Sequence, residues 1–152
     1  MITIGREDVL QALPDVVADH GADHVYQRPP RNADGTARTS RQDGGYEGSC
    51  YYVHTAAMRG DYDEERLVVG CFAGAVLNKL GVDLSEMARI ERSNGATGVF
   101  NLAERLHDSA VAQIDPAAMR VLEAAQESSD TGHTWGEVAS SVLNQYSARP
   151  AE

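Results

Sequence analysis

The sequence predicts an α+β fold in which a small antiparallel sheet of about three strands packs against four to six helices. Three observations lead to this prediction. Apolar residues recur at helical spacing near the start of the chain, two segments rich in β-branched and aromatic residues lie close together, and two helix-start signals follow one another in the last third. The chain has 152 residues, a usual size for one domain. We therefore expect a single domain over residues 1–152.

The first predicted element is a helix from Arg6 to about His20. Its apolar residues share one face, because they are spaced by one, three and four positions: Val9, Leu10, Leu13, Val16 and Val17. Pro14 lies inside this pattern. Because proline lacks a backbone donor and clashes with the preceding turn, Pro14 is expected to kink the helix or to split it. Gly21 is expected to end the helix.

Three short segments are predicted to form the antiparallel sheet: residues 24–28, 48–54 and 65–69. The last two are rich in β-branched and aromatic residues and should pair as a hairpin. Between the first two segments, residues 31–45 carry almost no apolar side chain. A flexible polar loop is expected there, since such a segment has little apolar surface to bury.

Three helices are predicted in the middle of the chain. The first runs from Cys71 to about Leu80, directly after the last strand, and its small residues should let it lie close to the sheet. The second begins after Asp83, which is a suitable N-cap, and ends at residues 93–95. The third extends from Val99 to about His107.

An αα-hairpin is predicted at the end of the chain. Asp115 followed by Pro116 is a typical helix start, and this helix should reach about Ser128. Thr134 and Glu137 have the spacing of a capping box, which opens a last helix. The two helices should be joined by a tight turn at residues 129–133.

The composition limits the classes of partner. The formal net charge is −10, from 23 acidic and 13 basic residues, which argues against direct binding to a phosphate backbone. The longest apolar stretch is far shorter than the ~20 residues that a membrane-spanning helix needs. No basic and apolar leader opens the sequence. We expect a cytoplasmic protein that does not associate with membranes.

Catalytic and metal-binding motifs are weak in this sequence. It contains no phosphate-binding loop, no nucleophile elbow and no His-Glu-x-x-His zinc motif, so neither a cofactor nor a metal site is predicted. Cys50 and Cys71 are most simply small core residues. Cys71 nevertheless lies where a strand passes into a helix, and His54 on the partner strand could act as its base. A cysteine-dependent enzyme is therefore kept as an alternative.

Candidate binding residues occur in two places. Asp130, His133 and Trp135 lie at the turn between the last two helices, where Trp135 is either a core residue or an exposed anchor for a partner. Tyr46 and Tyr62 belong to a group of tyrosines around the predicted hairpin that could form a contact surface. Half-buried packing is the simpler interpretation of such tyrosines.

Three segments together resemble a known group of proteins. They are Cys50-Tyr51-Tyr52-Val53, the stretch Gly70-Cys71-Phe72-Ala73-Gly74 up to Leu77, and Ala125-Gln126 followed by Asp130-Thr131-Gly132-His133-Thr134-Trp135-Gly136. In order and spacing they resemble small uncharacterised proteins of actinobacterial phages and their hosts. The resemblance covers about residues 48–140 and implies a setting, but no reaction.

The leading hypothesis for function is a phage-type accessory protein that binds a host or phage protein without catalysis, alone or as a homodimer. Its support is the negative charge, the lack of catalytic motifs and the resemblance. The first alternative is the enzyme that uses Cys71 with His54. The second alternative is a structural component of the virion.

Overall fold

The computed structural model describes residues 1–26, 51–55, 58, 67–94 and 98–146. These residues contain six helices and two short two-stranded sheets, which confirms the predicted α+β class with a small sheet. The helices are α1 (Arg6–His20), α2 (Phe72–Lys79), α3 (Leu84–Asn94), α4 (Val99–Asp108), α5 (Pro116–Asp130) and α6 (Trp135–Tyr146). The strands are β1 (Ile2–Ile4), β2 (Val53–His54), β3 (Val68–Val69) and β4 (Ala112–Ile114).

The hairpin predicted in the middle of the chain is present. Strands β2 and β3 pair antiparallel, with Val53 opposite Val69 and His54 opposite Val68. Two further backbone hydrogen bonds continue this contact, because the N–H groups of Gly70 and Cys71 donate to the carbonyls of Tyr52 and Tyr51, each at 2.9 Å. The sheet differs from the expected three strands in that residues 24–26 are not in a strand. The polar loop predicted at residues 31–45 lies outside the described residues.

A parallel pair of strands, β1 and β4, was not predicted from the sequence. Ile2 is opposite Ala112 and Ile4 is opposite Ile114. Each strand leads through one residue into a helix, β1 into α1 and β4 into α5. The parallel pairing therefore brings α1 and α5 into contact.

Helix α1 is continuous through Pro14, so the predicted split does not occur. Pro14 is exposed, whereas Val9 and Leu13 before it and Val16 after it are buried in the core. Burial of an amphipathic face contributes more to helix stability than local propensity does. Packing on both sides of Pro14 therefore keeps the two halves in one helix.

Helix α2 forms the centre of the core. Its residues Phe72–Leu77 are all buried, and the helix contacts α1 and α5. Gly74 explains how this helix can lie so close to the strand: a Cβ there would overlap the carbonyl oxygen of Tyr52 and lie 2.9 Å from its Cα. The small residues noted in the sequence thus serve close packing.

The predicted C-terminal αα-hairpin is confirmed, and α5 packs against α6. The Thr134 and Glu137 capping box is formed, since the N–H of Thr134 donates to Glu137 Oε1 at 3.0 Å and the N–H of Glu137 donates to Thr134 Oγ1 at 3.2 Å. Asp83 caps α3 through a hydrogen bond from the Ser85 N–H at 3.0 Å. Asp115 takes the N-cap position of α5, but its side chain makes no capping hydrogen bond. No helix among the described residues is long and apolar enough to cross a bilayer.

Candidate functional site

The most unusual polar group in the described structure is the carboxylate of Glu91 on α3. Glu91 is only 3% exposed. Its Oε2 accepts a hydrogen bond from the Tyr52 N–H at 2.8 Å, and its Oε1 accepts one from the Val53 N–H at 3.0 Å. One side chain therefore satisfies two consecutive buried backbone donors.

Two effects act in opposite directions on the titration of Glu91. Burial disfavours the charged form and raises the pKa, whereas the hydrogen bonds from Tyr52 and Val53 favour the carboxylate and lower it. Burial is the larger effect, and the pKa of Glu91 rises to about 8. A strongly shifted carboxyl group beside a cavity is a typical feature of functional sites, although structural networks also produce it.

The cavity beside Glu91 is small. It is lined by Tyr51, Val53, Thr55, Met58, Ala88, Glu91 and Arg92. Its volume of about 10 Å³ is near the minimum that one water molecule needs. The Glu91 site can therefore exchange a proton or hold a water molecule, but an organic substrate does not fit there.

A second polar network lies at the same strand. The Tyr26 hydroxyl oxygen accepts a hydrogen bond from the Tyr51 N–H at 3.0 Å and lies 3.1 Å from Nε2 of the buried His54. Since the hydroxyl proton is free to point to the ring, Tyr26 can donate to Nε2, which places the His54 ring proton on Nδ1. The network holds residue 26 next to residue 51.

Cys71, the nucleophile of the alternative enzyme hypothesis, is 0% exposed. It occupies the N-cap position of α2, as the sequence suggests, but its side chain makes no capping hydrogen bond. Among the described residues its thiol has no hydrogen-bond partner, and Nε2 of His54 is directed to Tyr26. At the N-terminus of α2, the Ala73 N–H donates instead to Oε1 of Gln126 at 3.0 Å. The geometry of the described residues therefore does not support catalysis by the Cys71 thiol with His54 as its base.

Asp130 and His133 are both exposed and lie on either side of the turn between α5 and α6. Asp130 Oδ1 accepts a hydrogen bond from Gln126 Nε2 at 2.8 Å, which orients the amide that caps α2. His133 Nδ1 lies 3.0 Å from the Ser128 carbonyl oxygen. Nδ1 also lies 2.8 Å from Thr131 Oγ1, so two polar contacts hold the His133 ring against the end of α5.

Trp135 is a core residue and not an exposed anchor. It is 0% exposed, and its indole is surrounded edge-on by the rings of Phe72, His20 and His24, with centroids 5.1, 4.9 and 4.4 Å away. Its Nε1 is buried and has no hydrogen-bond partner among the described residues. Tyr46 and Tyr62, the other candidate binding residues, lie outside the described residues, as does Cys50.

Glu91 was not among the candidate residues predicted from the sequence, although the sequence contains a signal for it. Leu84, Met87 and Ala88 follow the spacing of the buried face of α3, and Glu91 takes the next position of that pattern. An acidic residue in the apolar stripe of a helix is a direct indication of a buried carboxylate. No local pattern indicates the partners of Tyr26 and Gln126, because each acts on a residue far away in the sequence.

Within the described residues, no group of three or more His, Cys, Asp or Glu side chains could hold a metal ion. No family model, no curated protein and no solved structure matches this chain.

Proposed function

We propose that this chain is a phage-type accessory protein that acts by binding another protein, without catalysis, through an acidic surface. The partner is expected to present a basic surface, such as one that binds nucleic acid, because opposite charges direct the encounter of two proteins. The resemblance to small phage proteins supports the setting. The observation that carries the proposal is the acidic face of α5.

The acidic face of α5 consists of Glu123, Glu127 and Asp130. All three are exposed, and their spacing of four and three residues places them on one side of the helix. Glu123 and Glu127 make no ion pair with any described residue. Together they form a line of negative charge that ends at the turn between α5 and α6.

Helix stability does not explain this acidic face. The C-terminal end of a helix carries a partial negative charge, which favours basic residues there. Helix α5 has no basic residue in its last turn, and its acidic residues fall in the C-terminal half. Glu123 and Glu127 also repel each other at a spacing of four. Residues that oppose local stability are often retained for function.

The enzyme hypothesis has less support. It requires that a reagent or substrate reach the thiol of Cys71, which is fully buried. The remaining alternative, a virion structural component, uses the same kind of surface contact. Mass spectrometry of purified particles distinguishes it from a protein that acts only inside the host cell.

The test is capture of a partner by the immobilised protein from an actinobacterial lysate at low salt, followed by measurement of the affinity for the purified partner. We expect the double variant Glu123→Gln/Glu127→Gln to bind that partner several-fold more weakly, mainly through slower association. Added salt should weaken binding of the wild type more than binding of the variant. Asp130 is left unchanged in this variant, because its carboxylate accepts a hydrogen bond from the Gln126 amide.

The matched control is Glu104→Gln/Asp108→Asn on α4, which removes the same charge at the same spacing from another exposed helix. It should bind as the wild type does. If both double variants lose affinity equally, only the net charge matters and the acidic face is not the binding surface. If no partner is captured reproducibly, the proposed function is wrong. Sedimentation equilibrium of the purified protein tests the expected alternative of a homodimer.

A further inference from the structure

Two histidines cover the only tryptophan of the chain where α1 ends. His20 is the last residue of α1, and His24 follows the turn after it. The two imidazole rings lie 5.9 Å apart, and both meet the indole of Trp135 edge-on. His20 is exposed and His24 is half-buried, so water reaches this cluster from one side.

The backbone of residues 22–24 is fastened to the start of α6. The Trp135 N–H donates to the His24 carbonyl at 2.8 Å, and the Gly136 N–H donates to the Ala22 carbonyl at 2.9 Å. These are among the N–H groups that a helix cannot satisfy internally. Gly136 permits the contact, since a Cβ there would lie 2.9 Å from the Ala22 oxygen. Residues 22–24 therefore act as a cap for α6.

We infer that His20, His24 and Trp135 form an acid-sensitive clasp: when His24 becomes protonated, residues 22–24 separate from the N-terminus of α6. Two imidazolium rings at this distance repel each other, and a charged His24 would lose part of its hydration against the indole. Separation relieves both effects, because His24 then enters water.

Charged groups from the neighbouring elements surround the clasp. On α1, Asp19 is bound to Lys79 of α2 at 2.8 Å, and its carboxylate also attracts a positive charge on His20, which reduces the repulsion. On the side of α6, the carboxylate of Glu137 is held by Thr134, and His133 is bound to the end of α5. Asp23 beside His24 is exposed. Burial lowers the pKa of His24, and the charge of His20 lowers it further.

The direction of the pH effect follows from this shift. A group whose pKa is lower in the folded state binds a proton more readily once the segment that carries it has separated and entered water. The clasp is therefore complete above the ordinary pKa of His24, 6.5, and is weakened as the pH falls below that value.

Hydrogen exchange of single amides, followed by NMR from pH 7.5 to pH 5, tests the clasp. The amides to compare are those of Trp135 and Gly136, with the Asp115 amide, which donates to the Ile4 carbonyl at 2.9 Å, as an internal reference. Rates are divided by the intrinsic rate at each pH. We expect protection of Trp135 and Gly136 to fall relative to Asp115 as the pH decreases, by at most about tenfold per pH unit for one coupled proton.

Variants assign the effect to the histidines. His24→Gln should flatten the pH dependence and His20→Gln should make it shallower, whereas His107→Gln, an exposed site on α4, should leave it unchanged. Constant or rising protection at low pH in the wild type would overturn the inference, because the indole would then stabilise the imidazolium. So would an unchanged pH dependence in both His20→Gln and His24→Gln. Trp135 emission gives a second measurement in the wild type, since release exposes the indole to water and shifts its emission to longer wavelength.

Discussion

At the scale of single residues, Glu91 shows how one side chain can satisfy two buried backbone donors at the start of a strand. Strand β2 pairs with β3 along one edge, while the N–H groups of Tyr52 and Val53 donate to one carboxylate. An unpaired buried N–H is costly, so an acceptor is required there. The carboxylate joins α3 to the sheet at a point where no apolar residue could do so.

We expect Glu91→Ala to lower the free energy of unfolding by about 2–6 kcal/mol, because two buried donors lose their acceptor at roughly 1–3 kcal/mol each. Glu91→Gln should cost less, since its amide oxygen still accepts one of the two hydrogen bonds. Urea unfolding at pH 6 measures both. Glu104→Ala, in an exposed position of α4, is the control and should change stability by no more than about 0.5 kcal/mol. An equally small effect of Glu91→Ala would contradict the role given to this carboxylate.

At the scale of the elements, several ends are completed by distant parts of the chain. Gln126 on α5 supplies the acceptor at the start of α2, and residues 22–24 supply two acceptors at the start of α6. By contrast, α3 is capped by its own preceding residue, Asp83. The first turns of α2 and α6 are therefore stabilised partly by tertiary contacts, because their backbone N–H groups donate to acceptors from distant parts of the chain.

Gln126→Ala is therefore expected to destabilise the protein by about 1 kcal/mol, the usual cost of losing an N-cap side chain. Asp130→Ala should cost less, because Asp130 acts on α2 indirectly, through the Gln126 amide that it orients. A double-mutant cycle by thermal unfolding checks the coupling: the effect of Asp130→Ala should shrink when Gln126 is already absent. Strictly additive effects would show that the two residues act independently.

These contacts also explain what could be predicted from the sequence. Helices were predicted near their true positions, because signals such as Asp83, the Thr134 and Glu137 box and Pro116 act within a few residues. Strands β1 and β4 were missed because three residues give no periodicity, and their pairing joins residues that are 110 positions apart in the sequence, such as Ile2 and Ala112. The partners of Glu91 and Gln126 depend on the packing of whole elements, which no local pattern contains.

At the scale of the whole molecule, stability should depend on pH in a direction set by Glu91. Its pKa is raised from 4.5 when unfolded to about 8 in the fold, so the folded state holds the proton more tightly. This contribution is fully present below pH 4.5 and is lost as the pH rises through about 8. His24 acts in the opposite direction only below its ordinary pKa of 6.5.

We therefore expect the free energy of unfolding to fall between pH 6.5 and pH 8, by at most about 1.4 kcal/mol per pH unit. Urea unfolding at several pH values in that window measures the slope. Glu91→Gln should remove most of it, since its side chain does not titrate, whereas Glu104→Gln should retain it. A slope that persists in Glu91→Gln would assign the dependence to other groups.

The buried guanidinium of Arg6 donates to the carbonyl oxygen of Tyr146, so the start of the first helix is bound to the end of the last one. On the ribosome Tyr146 is added 140 residues after Arg6. Helix α1 is made before all three of its partners, α2, α5 and α6. Part of its apolar face therefore stays uncovered until residues 116–146 have been made. The growing chain therefore has the greatest need of protection by a chaperone before the last helix leaves the exit tunnel.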